Sequence, residues 1–555
     1  MKVPPLCSAI AIQFLLAEAS ITYSQDSREK TSCEFFERYD DWPEDLKIPG
    51  SILIADSHTA LGDFFVSIAK QNQKIKDILL VGPYQDCQPI LAGQALSQLS
   101  DAIDQVTWVK DLSLLPEPNP RSWLLICDSR LPSDISSEQW QKIADAMRSN
   151  LAQGRAVGFV GPAAVGLGKK YSKGDATTEL ENGVSVFPDA LIDFNDNGQS
   201  NSEIIDSVLP KDRLVMLSIA KGNALLFQGR KAVLYGEGVA TVTVPASDHL
   251  PIAQTEIKAI QRASRNAPES FLIDWPQWRR QAIERTLEPF PPVEKQVPNV
   301  TNGSLIIVGG GGMPRGLMRK FVQLAGGADA RLVYIPCTEE ENSSDTSLLE
   351  AWRELGVQTC SLLHTKDRRI ADRDEAFLEP LKNATGIWFG GGRQWNLADS
   401  YYGTQAHRLM KQVLDRGGVI GGSSAGASIQ ANYLARATPI ENFRIMAPGY
   451  ERGGLGFISG VAIDQHFTQR SRQKDLRSLV ETYPQMLGIG LDETTAIVVE
   501  KSTAQIVGAG SVTFNWKDSP EAEIQQFIGA QGQSFDLAQR VQIAAQDETS
   551  ETKKP

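Results

Sequence analysis

Apolar residues in the second half of this chain fall into short continuous runs and helical stripes, which predicts strands alternating with helices. In Gln405–Arg416 the apolar positions Ala406, Leu409, Met410, Val413 and Leu414 recur at i, i+3, i+4, i+7 and i+8, one helix face. That spacing leaves His407 on the polar face, toward solvent. Gly417-Gly418 ends the helix, as glycine does where a chain turns left-handed. Val419-Ile420-Gly421 then reads as a short buried strand and Ala425–Ala435 as another helix. Leu305-Ile306-Ile307-Val308, Arg331–Ile335, Val461–Phe467 and Leu487–Leu491 are further apolar runs of strand length.

The first half repeats this rhythm. Gly50–Ile54 parallels Gly303–Ile307, and Ser122–Cys127 parallels Gly386–Gly391. A helix from Ser137 to Ala152 leads through Gly154 to the strand Ala156–Val160, as the later helix leads through Gly417-Gly418. Self-similarity over so long a period predicts a duplication. The fold expected is α/β, two tandem three-layer sandwiches with mostly parallel sheets and sites beyond the strand carboxyl ends. The proline-rich stretch Glu288-Pro289-Phe290-Pro291-Pro292-Val293 reads as a stiff linker. The boundaries expected are 47–275 for the first domain, 276–302 for the linker, 303–516 for the second domain and 517–555 for a polar tail.

Composition narrows the class. At 555 residues the chain suits two or more domains, each able to bury a core. A formal net charge of −12 and the lack of a basic stripe argue against a nucleic-acid partner. Lys2, the apolar run Leu6–Ala17 and the small-x-small site Ala17-Glu18-Ala19 read as a signal peptide over 1–19, so an exported protein is expected. No other segment approaches the apolar length of a membrane span. The six cysteines, Cys7, Cys33, Cys87, Cys127, Cys337 and Cys360, show no C-x-x-C spacing and no histidine cluster, so no metal site is expected. Gly309–Gly312 follows a strand, but Pro314 stands where a dinucleotide loop needs its third glycine, so a close backbone turn is the reading.

The candidate chemistry lies in Gly422-Ser423-Ser424-Ala425-Gly426. A serine at the sharp strand-to-helix turn of G-x-S-x-G exposes its hydroxyl, and small neighbours let the backbone bend that tightly. Ser424 is the candidate nucleophile, and the amide of Ala425 a candidate oxyanion donor. Among the five histidines, His466 follows a strand and opens a polar, arginine-bearing loop, while His364 ends an apolar run and stays open as the base. Asp492 and Glu493 close the strand Leu487–Leu491, and either could orient the imidazole.

These residues together resemble a known family. Ser424 in G-S-S-A-G-A-S, Asp464-Gln465-His466-Phe467 followed by Arg470 and Arg472, and Gly490–Ala496 are similar to the motifs of cyanophycinase and its relatives, the S51 serine peptidases, which also hold the aspartyl dipeptidases. The resemblance covers about residues 303–516. It implies Ser424, His466 and Glu493 as a triad, and a fold like the class I glutamine amidotransferases. It also implies Gly391 and Gly392 as oxyanion donors beside Ala425, and Gln394, Asp464, Gln465, Arg470 and Arg472 as substrate contacts. A peptide substrate is implied, aspartyl-type and on the pattern of cyanophycin, an aspartate backbone with arginine on each side chain. No metal or organic cofactor is implied, and a homodimer is among the assemblies allowed. Two positions depart from the family: Arg393 stands where it has aspartate, and Asp475 where it has a third arginine, with Arg477 displaced.

In the first half the elbow equivalent reads Gly161-Pro162-Ala163-Ala164, with Ala163 in the serine's place, and Asn195 and Lys221-Gly222 fall at the histidine and acid positions. That half is therefore expected to be a degenerate, non-catalytic copy. A non-catalytic extracytoplasmic binding protein that keeps the motifs by descent is the alternative from another class.

Overall fold

Each run of apolar residues expected as a strand pairs with another. In this computed structural model residues 50–544 are described, except 60, 63, 66–74, 93–102, 116–120, 173–179, 208–211, 260–270, 339, 341–342, 344 and 440–443. The signal-peptide reading of residues 1–19, with Cys7, and the position of Cys33 lie outside the described residues.

The large sheet of the second half is ordered Thr359–Leu362, Arg331–Cys337, Gly386–Gly392, Val419–Ser423, Val300–Val308, Thr495–Lys501, Thr503–Gly508, Ser534–Asp536, Val541–Ile543. Its first five strands run parallel and the rest antiparallel. The large sheet of the first half follows the same plan. Ile103–Val109, Ile75–Val81, Ser122–Cys127, Ala156–Val160 and Ser51–Ala55 run parallel, then Ala224–Gln228, Lys231–Tyr235 and Phe271–Leu272 antiparallel.

The protein is α/β, with one difference from the expected sandwiches: each half carries a second, smaller sheet. In the second half it is Ala431–Tyr433, Ile458–Gln465, Leu487–Leu491, Val512–Trp516 and Gln525–Gly529. In the first, Lys170–Ser172, Ala190–Asn195, Val215–Ala220, Val239–Val244 and Ala253–Lys258 follow that order, with Leu180–Asn182 added at the edge.

Helices close the faces where their stripes predict. Ser137–Ala152 starts at a capping box, Gln139 N–H donating to Ser136 Oγ at 3.3 Å and Ser136 N–H to Gln139 Oε1 at 3.2 Å. It buries Ile143, Ala144, Met147 and Leu151. Burying a side chain the size of Ile, Met or Leu contributes about 1.5–3 kcal/mol. Gln405–Asp415 buries the predicted stripe, and Gly417 ends it with φ +83°.

Three expectations need correction. Only Ala425–Ser428 of the expected Ala425–Ala435 helix is helical, because Ala431–Tyr433 pairs as a strand with Ile458 and Ala462. The linker contains a helix, Trp275–Glu284, whose Trp275, Trp278, Arg279 and Arg280 are buried. Beyond it Phe290 stacks on Tyr433 with ring centroids 6.1 Å apart, so the prolines follow a docked path. The polar tail begins later than 517. Gln525–Gly529 and Ser534–Asp536 are strands, and Phe535 is fully buried, stacked 4.2 Å from Phe514.

The two halves meet through buried charge. Arg230 of the first half and Arg280 of the linker helix donate to Asp399 of the second half at 2.8 and 2.9 Å. Arg230 also pairs with Asp274, and Tyr450 Oη donates to Asp274 at 2.9 Å. Asp399 lies on the helix Trp395–Tyr401, which directly follows the loop Gly391–Gln394.

Candidate active site

Val419–Ser423 lies in the middle of its sheet, and the chain leaves its carboxyl end through Ser424 at φ +56°, ψ −112°. A serine in this region costs on the order of 1–3 kcal/mol and persists only where its surroundings fix it. Here Ser424 N–H donates to Val308 O at 3.0 Å. A Cβ at Gly422 would lie 2.2 Å from Gly426 O, and one at Gly426 would lie 2.2 Å from Phe389 O. Both glycines are therefore required by close backbone approach, and the turn holds the Ser424 hydroxyl outward at the strand ends.

His466 enters from the neighbouring small sheet, at the end of Ile458–Gln465, with φ +49°. Ser424 Oγ lies 2.9 Å from His466 Nε2, and His466 Nδ1 lies 2.6 Å from Glu493 Oε1. A carboxylate on Nδ1 fixes the tautomer with its proton there, which leaves Nε2 to accept from the serine. Burial draws the His466 pKa below the ordinary imidazole value and Arg470 lowers it further, against the Glu493 hydrogen bond. The ring is therefore neutral at pH 7 and able to take a proton.

The glycine run at 309–312 wraps this row. His466 N–H donates to Gly309 O at 2.8 Å and Thr494 N–H to Gly310 O at 2.8 Å. A Cβ on Gly310 (φ +97°) would come within 2.4 Å of His466 Cε1, and one on Gly311 (φ +67°) within 2.4 Å of Glu493 Oε2. The close backbone turn expected from sequence thus lies against the imidazole and its carboxylate. Asp492, the other carboxylate left open, faces away. It accepts from Thr468 N–H at 3.0 Å and Ser511 N–H at 3.0 Å, and from both hydroxyls. Burial would raise its pKa, but those hydrogen bonds outweigh it and the net direction is down.

Gly391 sits beside the serine: a Cβ there would lie 3.5 Å from Ser424 Cβ, and Gly391, Gly392 and Arg393 are exposed. Ala425, the first helical residue after Ser424, is buried. Gly392 (φ +151°) passes so close to the strand Arg331–Cys337 that a Cβ would lie 2.0 Å from Cys337 O. The Cys337 thiol donates to Arg393 O at 2.9 Å, so this cysteine pins the loop.

The residues assigned to substrate by resemblance divide. Arg470 is exposed beside His466. The other four are buried and hydrogen-bonded to the protein. Gln394 Nε2 donates to Ala435 O at 2.8 Å and Arg436 O at 2.9 Å, tying down that backbone. Asp464 is 1% exposed and takes a bidentate fork from Arg436 at 2.8 and 2.9 Å. Arg472 Nη1 donates to Asp464 Oδ1 at 3.1 Å and Gln465 Oε1 at 3.1 Å. A buried charge must be paired, and these residues pair with one another. Arg436, missed in the sequence, also donates to Asp475 at 2.7 Å. Its signal would have been an arginine placed to offset Asp475, but it lies 39 residues away in sequence.

The remaining histidines are placed elsewhere. His364 Nε2 lies 2.8 Å from Glu340 O. His407, expected in solvent, is buried: Nε2 lies 2.7 Å from Leu455 O, and Nδ1 accepts from Gly403 N–H at 3.2 Å. Burial pushes its pKa down to about 3, so it is a neutral structural histidine.

Among its described residues the first half offers no such row. Strand register places Ala55 opposite Val160 as it places Val308 opposite Ser423, so the counterpart of Ser424 is Gly161, not Ala163. A Cβ on Gly161 would lie 1.8 Å from Asp128 O, so no serine fits there.

Residues 305–507 match the model of peptidase family S51. A cyanophycinase of Geminocystis herdmanii (strain PCC 6308) is 30% identical over 200 residues, covering 36% of this chain and 73% of the relative. A cyanophycinase of Synechococcus elongatus is 32% identical over 207 residues, covering 36% of this chain and 62% of the relative. One of Trichormus variabilis (strain ATCC 29413 / PCC 7937) is 29% identical over 233 residues, with shares of 40% and 76%. This chain thus spans less than two thirds of the Synechococcus relative's length. The crystal structure of a peptidase from an acI-B1 Actinobacterium is similar at 26% identity and a TM-score of 0.32, covering 42% of this chain and 97% of that one. Through residues 305–507, this chain belongs to peptidase family S51.

Proposed function

We propose that the second half is a serine peptidase that cleaves aspartyl-type peptides. The observation that carries this is the hydrogen-bonded row Ser424–His466–Glu493, at 2.9 and 2.6 Å, on a serine held at positive φ. In this reading Ser424 Oγ attacks the peptide carbonyl while His466 Nε2 takes its proton and then delivers it to the departing amine. Glu493 holds the imidazole and offsets the charge it gains. The amides of Ala425 and of the Gly391-Gly392 loop bind the oxyanion, and water then hydrolyses the acyl-enzyme by the same proton path. The first half buttresses the second through Asp399 and carries no reaction of its own. Export through residues 1–19 belongs to the same proposal.

The test incubates the purified protein with cyanophycin and with α- and β-aspartyl dipeptides, and follows release by mass spectrometry. Cleavage of an aspartyl bond is expected. A protein that neither cleaves any of them nor takes a fluorophosphonate at Ser424 would overturn the peptidase reading.

Gly310 provides a second, independent check. In Gly310→Ala the added methyl meets the His466 ring and the residue must hold φ +97°, so the imidazole is displaced. A displacement near 1 Å costs about 10²-fold in rate. Steady-state kinetics should show that loss in kcat with the fold intact by circular dichroism. An unchanged kcat would mean that the ring's position does not matter.

A further inference from the structure

The charges around Ser424 are not arranged to receive a cationic side chain. Asp464 lies two residues before His466, at the carboxyl end of the same strand, and would be the natural anion for such a side chain. Both of its oxygens already accept from Arg436, at 2.8 and 2.9 Å. The outer side of the same guanidinium meets Asp475 at 2.7 Å, where Asp475 is half exposed. Arg436 itself is 4% exposed, and its backbone carbonyl is held by Gln394. A guanidinium held between two carboxylates has the geometry of a bound arginine side chain. Here the arginine comes from the chain itself. Arg470 is exposed beside the reacting row.

We propose that Arg436 is the specificity-determining residue of this site: its guanidinium fills the anionic subsite formed by Asp464 and Asp475. The enzyme therefore refuses an arginine side chain next to the scissile aspartyl bond. Arg470 favours an acidic side chain there instead. This rests on the peptidase reading of the Ser424 row and narrows its substrate class. Asp475, which departs from the family's arginine, becomes the outer anchor of Arg436.

The experiment uses full-length protein and three peptides that share one scissile aspartyl bond and differ in the neighbouring side chain: arginine, norleucine or glutamate. The wild type should cleave them in the order glutamate, norleucine, arginine by kcat/KM. Arg436→Ala frees Asp464 Oδ2 and Asp475, with Arg472 still on Asp464 Oδ1, and the arginine-to-norleucine ratio should rise about tenfold or more, the scale of a charged hydrogen-bonded pair. Methylguanidine at millimolar concentration should refill the site and return the ratio toward the wild-type value. Should Arg436→Ala fail to fold, Asp475→Asn loosens the outer anchor and should move the ratio the same way. A wild type that prefers the arginine peptide overturns the proposal. So does a ratio unmoved in a folded variant whose Ser424 still takes a fluorophosphonate. Loss of labelling in the wild type would instead sink the peptidase reading, so the two failures are distinguishable.

Discussion

His466→Ala will lower kcat by about 10⁴ to 10⁶-fold, the range seen when one member of a cooperating triad is removed. The ring is the partner of Ser424 Oγ at 2.9 Å and of Glu493 at 2.6 Å, so its removal severs both contacts. Ser424→Ala will match that loss and abolish fluorophosphonate labelling, since it deletes the hydroxyl alone. Glu493→Gln will cost less, because Gly309 and Gly310 still hold the backbone around the imidazole. The pH profile carries the same signature. Reaction needs the neutral ring, whose pKa lies below the ordinary value near 6.5, through burial first and then Arg470. The kcat/KM curve will therefore rise through an inflection below about pH 6.5 and stay flat above it. Removing the Arg470 charge with Arg470→Gln will move that inflection to higher pH. Labelling that survives Ser424→Ala, or a larger loss in His364→Ala, would refute these roles.

Asp399→Ala will separate the two halves energetically. Asp399 accepts from Arg230 and Arg280, and Arg280 is fully buried, so the change takes a carboxylate partner away from an interior cation. Breaking a buried pair from one side costs about 3–5 kcal/mol. Equilibrium urea unfolding followed by tryptophan fluorescence should show a lowered midpoint and a broadened transition. The double change Arg280→Met with Asp399→Leu removes both charges and should recover much of the loss. A single-variant midpoint equal to the wild type would mean the cluster contributes nothing. Because Asp399 rides on the helix that follows Gly391–Gln394, kcat should fall alongside stability. That would tie the first half to the second's chemistry without giving it a reaction.

Much of the site was legible before any contact was known, for local reasons. A serine between glycines at a strand-to-helix turn is constrained by its own backbone, so Ser424 stood out. Strands that end in His466 and in Asp492-Glu493 put titratable groups at the carboxyl edge, where open α/β sheets gather their sites. The helical stripe of Gln405–Asp415 and the repeat between halves are likewise properties of spacing.

The failures share one cause, which is distance along the chain. His407 occupies a polar position by periodicity, yet Leu455 O, 48 residues on, accepts a hydrogen bond from its ring. Periodicity could not choose between Asp492 and Glu493, since neighbours at a strand end differ only in the direction they face. The resemblance named Glu493, and the Gly309–Gly312 loop shows what holds it. The tail's apolar positions are too sparse to announce strands until Phe514 supplies a stacking partner. Arg472, which reads as a substrate contact from motif position, turns inward to the buried Asp464, whereas Arg470 stays exposed. The sequence by itself determined the α/β elements, the strained serine and the strand ends that carry the histidine and acid, because backbone sterics and apolar period act over a few residues. Only the tertiary structure decided which carboxylate meets the imidazole, which arginines face solvent and where the halves lock, because pairing a buried charge depends on residues tens to hundreds of positions apart.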